Sequence, residues 1–111
     1  TNLSHSEQIW VQELKQKIDS NEKFTLVDVR EAHEKAFSDL GGILIPLSKF
    51  ELEYTKLTEN KDREIVLYCR SGGRSGQAAA YLKSKGFSNV TNVLGGINKW
   101  ALEVDPKVPT Y

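Results

Sequence analysis

The chain has 111 residues, 39% of them hydrophobic and 27% charged, the size and composition of one compact globular domain over residues 1–111. Fifteen Lys and Arg balance fifteen Asp and Glu, so no overall field draws the protein to nucleic acid or an anionic membrane, and attraction for anions has to be local. No apolar run is long enough to span a bilayer, the polar start TNLSHSEQ lacks a secretory pattern, and a single cysteine admits no internal disulfide, so a reducing compartment, the cytoplasm, is expected.

Ser4-x-x-Glu7 has the spacing of a capping box, and Val11, Leu14 and Ile18 recur at helical intervals, predicting a helix over residues 6–19. The β-branched run Thr25-Leu26-Val27-Asp28-Val29 predicts a buried strand. A short helix is expected over residues 31–37, closed by Gly41-Gly42, and Ile43-Leu44-Ile45 predicts a second strand ending at Pro46. Ser48-x-x-Glu51 has the spacing of another capping box, with Leu47 and Leu52 as its hydrophobic staple, predicting a helix over residues 49–57. A charged loop follows at residues 59–63. Ile65-Val66-Leu67-Tyr68 is apolar throughout, as a central strand covered on both faces must be. Ala78, Ala79 and Leu82 mark a helix whose end is signalled by Lys83, Lys85 and Gly86. Residues 90–94 predict a last strand and residues 97–102 a last short helix.

Strands alternating with helices imply right-handed crossovers and an α/β fold, with a central, mostly parallel sheet of about four to five strands and helices on both faces. Ligands in such folds gather at the carboxyl ends of the strands, and Cys69 follows one of those ends.

Cys69-Arg70-Ser71-Gly72-Gly73-Arg74-Ser75 joins that strand to the next helix. Two glycines let the backbone curl, so that successive N–H groups face inward as an anion nest at the positive end of a helix. Arg70 and Arg74 add planar donor forks suited to oxyanions. A cysteine at the lip of such a nest has its thiolate stabilised and becomes a nucleophile. A lone cysteine is ordinarily a small buried hydrophobe, but an inert one has no use for two flanking arginines and a Gly-Gly turn. A nucleotide-binding loop is disfavoured because the Gly-Lys-Ser/Thr ending is missing. Asp28 lies in an apolar run and is read as buried and hydrogen-bonded, to loop N–H groups or to Arg30, in a structural rather than catalytic role. Trp10 and Trp100 read as core or helix-packing residues, His5 and His33 as solvated, and Gly95-Gly96 as a tight turn rather than part of the loop's rim.

CRSGGRS resembles the active-site loop of the rhodanese family. Leu26-Val27-Asp28-Val29-Arg30-Glu31 is similar to that family's early L-I-D-V-R-E signature, and Leu94-Gly95-Gly96-Ile97-x-x-Trp100 to its late one. The three motifs lie in the family's order and cover nearly the whole chain. A departure lies at residues 39–47, where many members have G-H-I-x-G-A. That segment and the tail at residues 104–111 resemble, more loosely, rhodanese modules attached to ubiquitin-activating-like adenylyltransferases.

The resemblance implies a rhodanese-like fold and a sulfurtransferase. Cys69 would take sulfane sulfur from a small anionic donor such as thiosulfate, hold it as a persulfide, and pass it to cyanide, a thiol or a sulfur-carrier protein, with an adenylyltransferase as a further partner. Residues 70–75 would bind the donor through Arg70, Ser71, Gly72, Gly73, Arg74 and Ser75, supported by Asp28 and Arg30. No metal-ligand spacing or cofactor motif is present, so neither metal nor cofactor is expected. Two rival readings differ in class. Cysteine phosphatases and arsenate reductases resemble C-x5-R, whereas Arg74 makes C-x4-R and Tyr68 replaces their usual histidine. A non-catalytic docking module would have no need of the retained Cys69. The chain starts at Thr1 and lacks Met, so its natural start is expected to have been removed, which leaves room for a longer parent protein.

Overall fold

The computed structural model describes residues 7–60 and 63–111. In chain order the elements are β1 (Glu7–Ile9), α1 (Val11–Asp19), β2 (Thr25–Asp28), α2 (Ala32–Phe37), β3 (Ile43–Leu44), α3 (Phe50–Glu53), β4 (Ile65–Tyr68), α4 (Gly73–Ser84), β5 (Val90–Val93) and α5 (Gly96–Glu103). The strands form one sheet in the order β1-β5-β4-β2-β3, and every neighbouring pair is parallel. The α/β architecture expected from the alternation of strands and helices is therefore present, with five strands.

β4 is fully buried because it is central and covered on both faces. Its side chains alternate between two cores, as strand geometry requires. Ile65 and Leu67 pack with Val27, Phe50, Ala78 and Leu82 under α3 and α4. Val66 and Tyr68 pack with Leu14, Val93, Ile97 and Trp100 under α1 and α5. The parallel register sets Asp28 beside Tyr68 and Leu67 beside Asn92, so the carboxyl ends of β2, β4 and β5 come together at one edge.

The N-terminal expectation is corrected. Residues 7–9 form an edge strand paired with β5, and the helix begins only at Val11. A short edge strand exchanges hydrogen bonds on one side only, so it tolerates a polar sequence such as Glu7-Gln8-Ile9 that carries no apolar alternation. With the helix starting there, Val11 and Leu14 face the sheet, while Trp10 stands 52% exposed rather than in a core. Trp100 is buried and His33 exposed. Ser4 of the expected capping box, His5 and residue 6 of the expected helix lie outside the described residues.

The helix expected over residues 49–57 is also broken up. The chain takes a 3-10 turn at Leu47–Lys49, four residues of α-helix, then a second 3-10 turn at Tyr54–Asn60. Ser48 caps neither turn nor helix; its hydroxyl donates to Glu31 at 2.8 Å. Leu52 is 82% exposed, so no staple forms with Leu47. The charged loop expected at residues 59–63 starts inside that second turn, and residues 61 and 62 lie outside the described residues. A capping box occurs instead at α2, where Glu31 and Glu34 each bind the other's backbone N–H.

Candidate functional site

Cys69 leaves the carboxyl end of β4 and is 1% exposed. Its Sγ accepts the Gly72 N–H at 3.1 Å and the Ser75 hydroxyl at 3.4 Å. Gly72 stands at φ +112°, which turns the chain back over the sulfur and favours glycine. Gly73 needs no such conformation: it opens α4, and a Cβ there would meet open space. Only one of the two glycines is thus demanded by the curl of the loop. Burial pushes the Cys69 thiol up, but the Ser75 hydroxyl and the backbone N–H groups of Ser75, Gly72 and Ser71 outweigh it and hold the thiol below its ordinary value. The sulfur therefore sits over the first turn of α4 with its thiolate form favoured relative to an ordinary thiol.

The two loop arginines flank this pocket, each engaged by a distant part of the chain. Arg70 is exposed, donates to the Tyr111 backbone oxygen and lies 4.8 Å from the centre of the Tyr111 ring. Arg74 donates to both carboxylate oxygens of Glu34, at 2.6 and 2.7 Å. Glu34 also accepts the Glu31 N–H at 3.0 Å and the Tyr111 hydroxyl at 2.6 Å. Arg74 holds the Glu34 carboxyl well below the usual carboxylate range against the opposing effect of burial. Ser71 is exposed at the outside of the turn.

Asp28 and Arg30 are buried together at the end of β2. Arg30 donates from Nε to Asp28 Oδ1 at 2.9 Å and from Nη2 to Oδ2 at 2.8 Å. Its remaining donors reach the Ser38 carbonyl and hydroxyl, the Glu34 carbonyl and the Tyr111 hydroxyl. Burial works against the charge of Arg30, and these bonds, with Asp28 foremost, hold it charged. The pair ties β2, α2 and the tail into one unit beneath the loop, and its carboxylate points to Arg30 rather than to the sulfur.

Three further residues belong to this assembly. Gly96, at φ +58°, backs onto the loop so closely that a Cβ there would lie 2.4 Å from the Cys69 and Arg70 carbonyl oxygens. Those carbonyls accept the Ile97 and Asn98 N–H groups at 2.9 and 3.2 Å. Gly95-Gly96 does make the expected turn, but it also forms one wall of the loop. Asn92, buried in β5, donates to the Gly72 carbonyl at 3.2 Å and accepts from the Ser75 hydroxyl. Its signal in the sequence was a polar amide inside an apolar strand. Tyr111 stands out in the sequence only as part of the tail at residues 104–111, and its place at the loop is set by the tertiary path of that tail.

A model of the Rhodanese-like domain family matches residues 11–103. The chain belongs to that family. This rhodanese-like domain is 39% identical over 89 residues to a sulfurtransferase of Allochromatium vinosum, covering 79% of this chain and 81% of that one. It is 39% identical over 100 residues to the putative sulfur carrier protein YrkF of Bacillus subtilis, covering 89% of this chain and 53% of that one. Against the maize protein named adenylyltransferase and sulfurtransferase MOCS3-2 it is 34% identical over 115 residues, covering 98% of this chain but 24% of that one. The chain thus spans a quarter to about half the length of several curated relatives that it matches. Among solved structures, a rhodanese-related protein of Thermoplasma volcanium superposes with a TM-score of 0.78 at 30% identity, covering 95% of this chain and 99% of that one. No helix among the described residues is long and apolar enough to cross a membrane.

Proposed function

We propose that the domain is a sulfurtransferase carrying sulfane sulfur as a persulfide on Cys69, from thiosulfate or another sulfane donor to cyanide, a thiol or a sulfur-carrier protein. The observation that carries this reading is the buried Cys69 Sγ, held by the Gly72 N–H and the Ser75 hydroxyl at the carboxyl end of β4. The Cys69 thiolate attacks the outer sulfur of the donor. A new S–S bond forms as the donor's own S–S bond breaks, and the electron pair departs on sulfite or on the donor's thiolate. The acceptor's nucleophile then attacks the outer sulfur of the persulfide and returns Cys69 to thiolate. Cyanide would leave as thiocyanate.

The amides of Ser71, Gly72 and Ser75 stabilise the thiolate and the persulfide anion as an oxyanion hole stabilises oxygen. Gly73 and Arg74 open the helix that aims these amides, Arg70 lines the rim, and Asp28 with Arg30 braces the strand below. With one cysteine in the chain, the persulfide cannot collapse into an internal disulfide, which suits a carrier working in the cytoplasm. The relatives named as sulfur carrier and as adenylyltransferase and sulfurtransferase favour a protein acceptor or partner of those kinds.

Intact-protein mass after brief exposure to thiosulfate or to glutathione persulfide tests the reading. Wild type is expected to gain one sulfur, reversed by cyanide, and Cys69→Ser to gain none. Absence of any gain with both donors overturns it and leaves a docking module as the function.

A further inference from the structure

Resting on the sulfur-transfer reading, we propose that Glu34 selects the charge of the sulfur donor: by neutralising Arg74 it favours an organic persulfide over dianionic thiosulfate. Arg74 is the cation of the loop that begins α4, and both of its terminal nitrogens are spent on the two oxygens of one carboxylate. That carboxylate is only 10% exposed and is held by two further donors, the Glu31 N–H and the Tyr111 hydroxyl. The ion pair is therefore preformed and its net charge is zero. Pulling Arg74 onto a donor would strand a nearly buried carboxylate, which costs far more than a surface ion pair returns. Arg70, the other loop cation, is engaged by the backbone oxygen and the ring of Tyr111.

What the sulfur itself meets is backbone N–H groups and a hydroxyl, none of them carrying a full charge. Those donors can stabilise one negative charge. Thiosulfate brings two more against a thiolate that already carries one, and with Arg74 neutralised only the exposed Arg70 at the rim is left to offset that repulsion. A protonated organic persulfide brings no charge at the reacting sulfur. The Cys69 thiolate attacks its outer sulfur and the donor's S–S bond breaks. The electron pair leaves on the donor's thiolate, and the proton stays on the transferred sulfur. Glu34 acts through Arg74 and touches no reacting atom, so it is a specificity-setting residue.

Rates of sulfur gain on the full chain, read by intact mass with thiosulfate and with glutathione persulfide, test this. Wild type is expected to load faster from the persulfide. Glu34→Gln uncovers the Arg74 charge and is expected to raise the thiosulfate rate on the order of tenfold, with less than about a twofold change for the persulfide. The double variant Glu34→Gln with Arg74→Gln removes both charges and is expected to return the ratio of the two rates to that of wild type. A ratio unmoved by Glu34→Gln overturns the proposal, as does a wild type that prefers thiosulfate and loses that preference in Arg74→Gln alone. Alkylation of Cys69 by iodoacetate relative to iodoacetamide reads the same charge without any sulfur transfer. Failure of every donor to load the thiol, with the alkylation ratio still rising in Glu34→Gln, would therefore count against sulfur transfer and not against the charge set by Glu34. Should Glu34→Gln lose its fold, wild type alone decides: a weak dependence of the iodoacetate rate on salt supports the neutralised pair, and a steep fall refutes it.

Discussion

The Ser75 hydroxyl has one proton and three acceptors within reach: the Cys69 sulfur, the Gly72 carbonyl and the Asn92 amide oxygen. Once the sulfur is charged it is the strongest of the three, so the proton turns toward it and the thiolate is favoured. Wild-type alkylation by iodoacetamide should therefore reach half its maximal rate at a pH below that of an ordinary thiol. Ser75→Ala is expected to move that midpoint up by about one pH unit, the equivalent of one hydrogen bond to a charged group. The two loop glycines should separate just as cleanly. Gly72→Ala forces a side chain into φ +112° and should cost about 1–2 kcal/mol of unfolding free energy, whereas Gly73→Ala should be neutral in the same denaturant titration. Much of the loop was legible at this scale, because glycines and arginines crowded around a single cysteine have few other uses. Glu34 was not, because its contact with Arg74 spans 40 positions and is made by the fold rather than by spacing.

At the scale of elements, the sequence announced whatever is buried on both faces. β2, β4 and β5 are short β-branched or apolar runs, and each lies where those runs do. β1 is three residues at an edge, with no apolar period to betray it, and missing it shifted the start of α1 and put Trp10 on the wrong side of the helix. The capping spacing at Ser48 failed for a different reason: Pro46 leads into a 3-10 turn, and the Ser48 hydroxyl is taken by Glu31. α5 shows how an element can act on the site without supplying a reactive group. Its first residue, Gly96, leaves no room for a methyl group against the Cys69 and Arg70 carbonyls. Gly96→Ala should cost on the order of 2–4 kcal/mol in thermal or denaturant unfolding and slow iodoacetamide alkylation of Cys69, because the loop must shift to admit the Cβ.

Across the whole molecule, Glu34 links α2, α4 and the tail through Arg74 and Tyr111. Its carboxyl is held below its ordinary value of 4.5, chiefly by the Arg74 hydrogen bonds, so the folded state binds a proton less readily there than the unfolded chain does. The stabilisation this confers is complete above that ordinary value and is lost as pH falls toward the lowered folded one. Denaturant midpoints should therefore drop as the pH is taken below about 4.5, and the drop should be shallower in Glu34→Gln, which has no proton to take up.

The first strand of the sheet pairs with the last, and the wall behind the cysteine is built from residues that come after it. During synthesis Cys69 is made before Asn92 and Gly96, and well before Tyr111. A nascent chain that ends short of β5 lacks the amide at residue 92 and the glycine wall at residue 96 that pack against the loop. In the order of translation, the surroundings of the Cys69 loop are thus completed only by segments made after the cysteine itself.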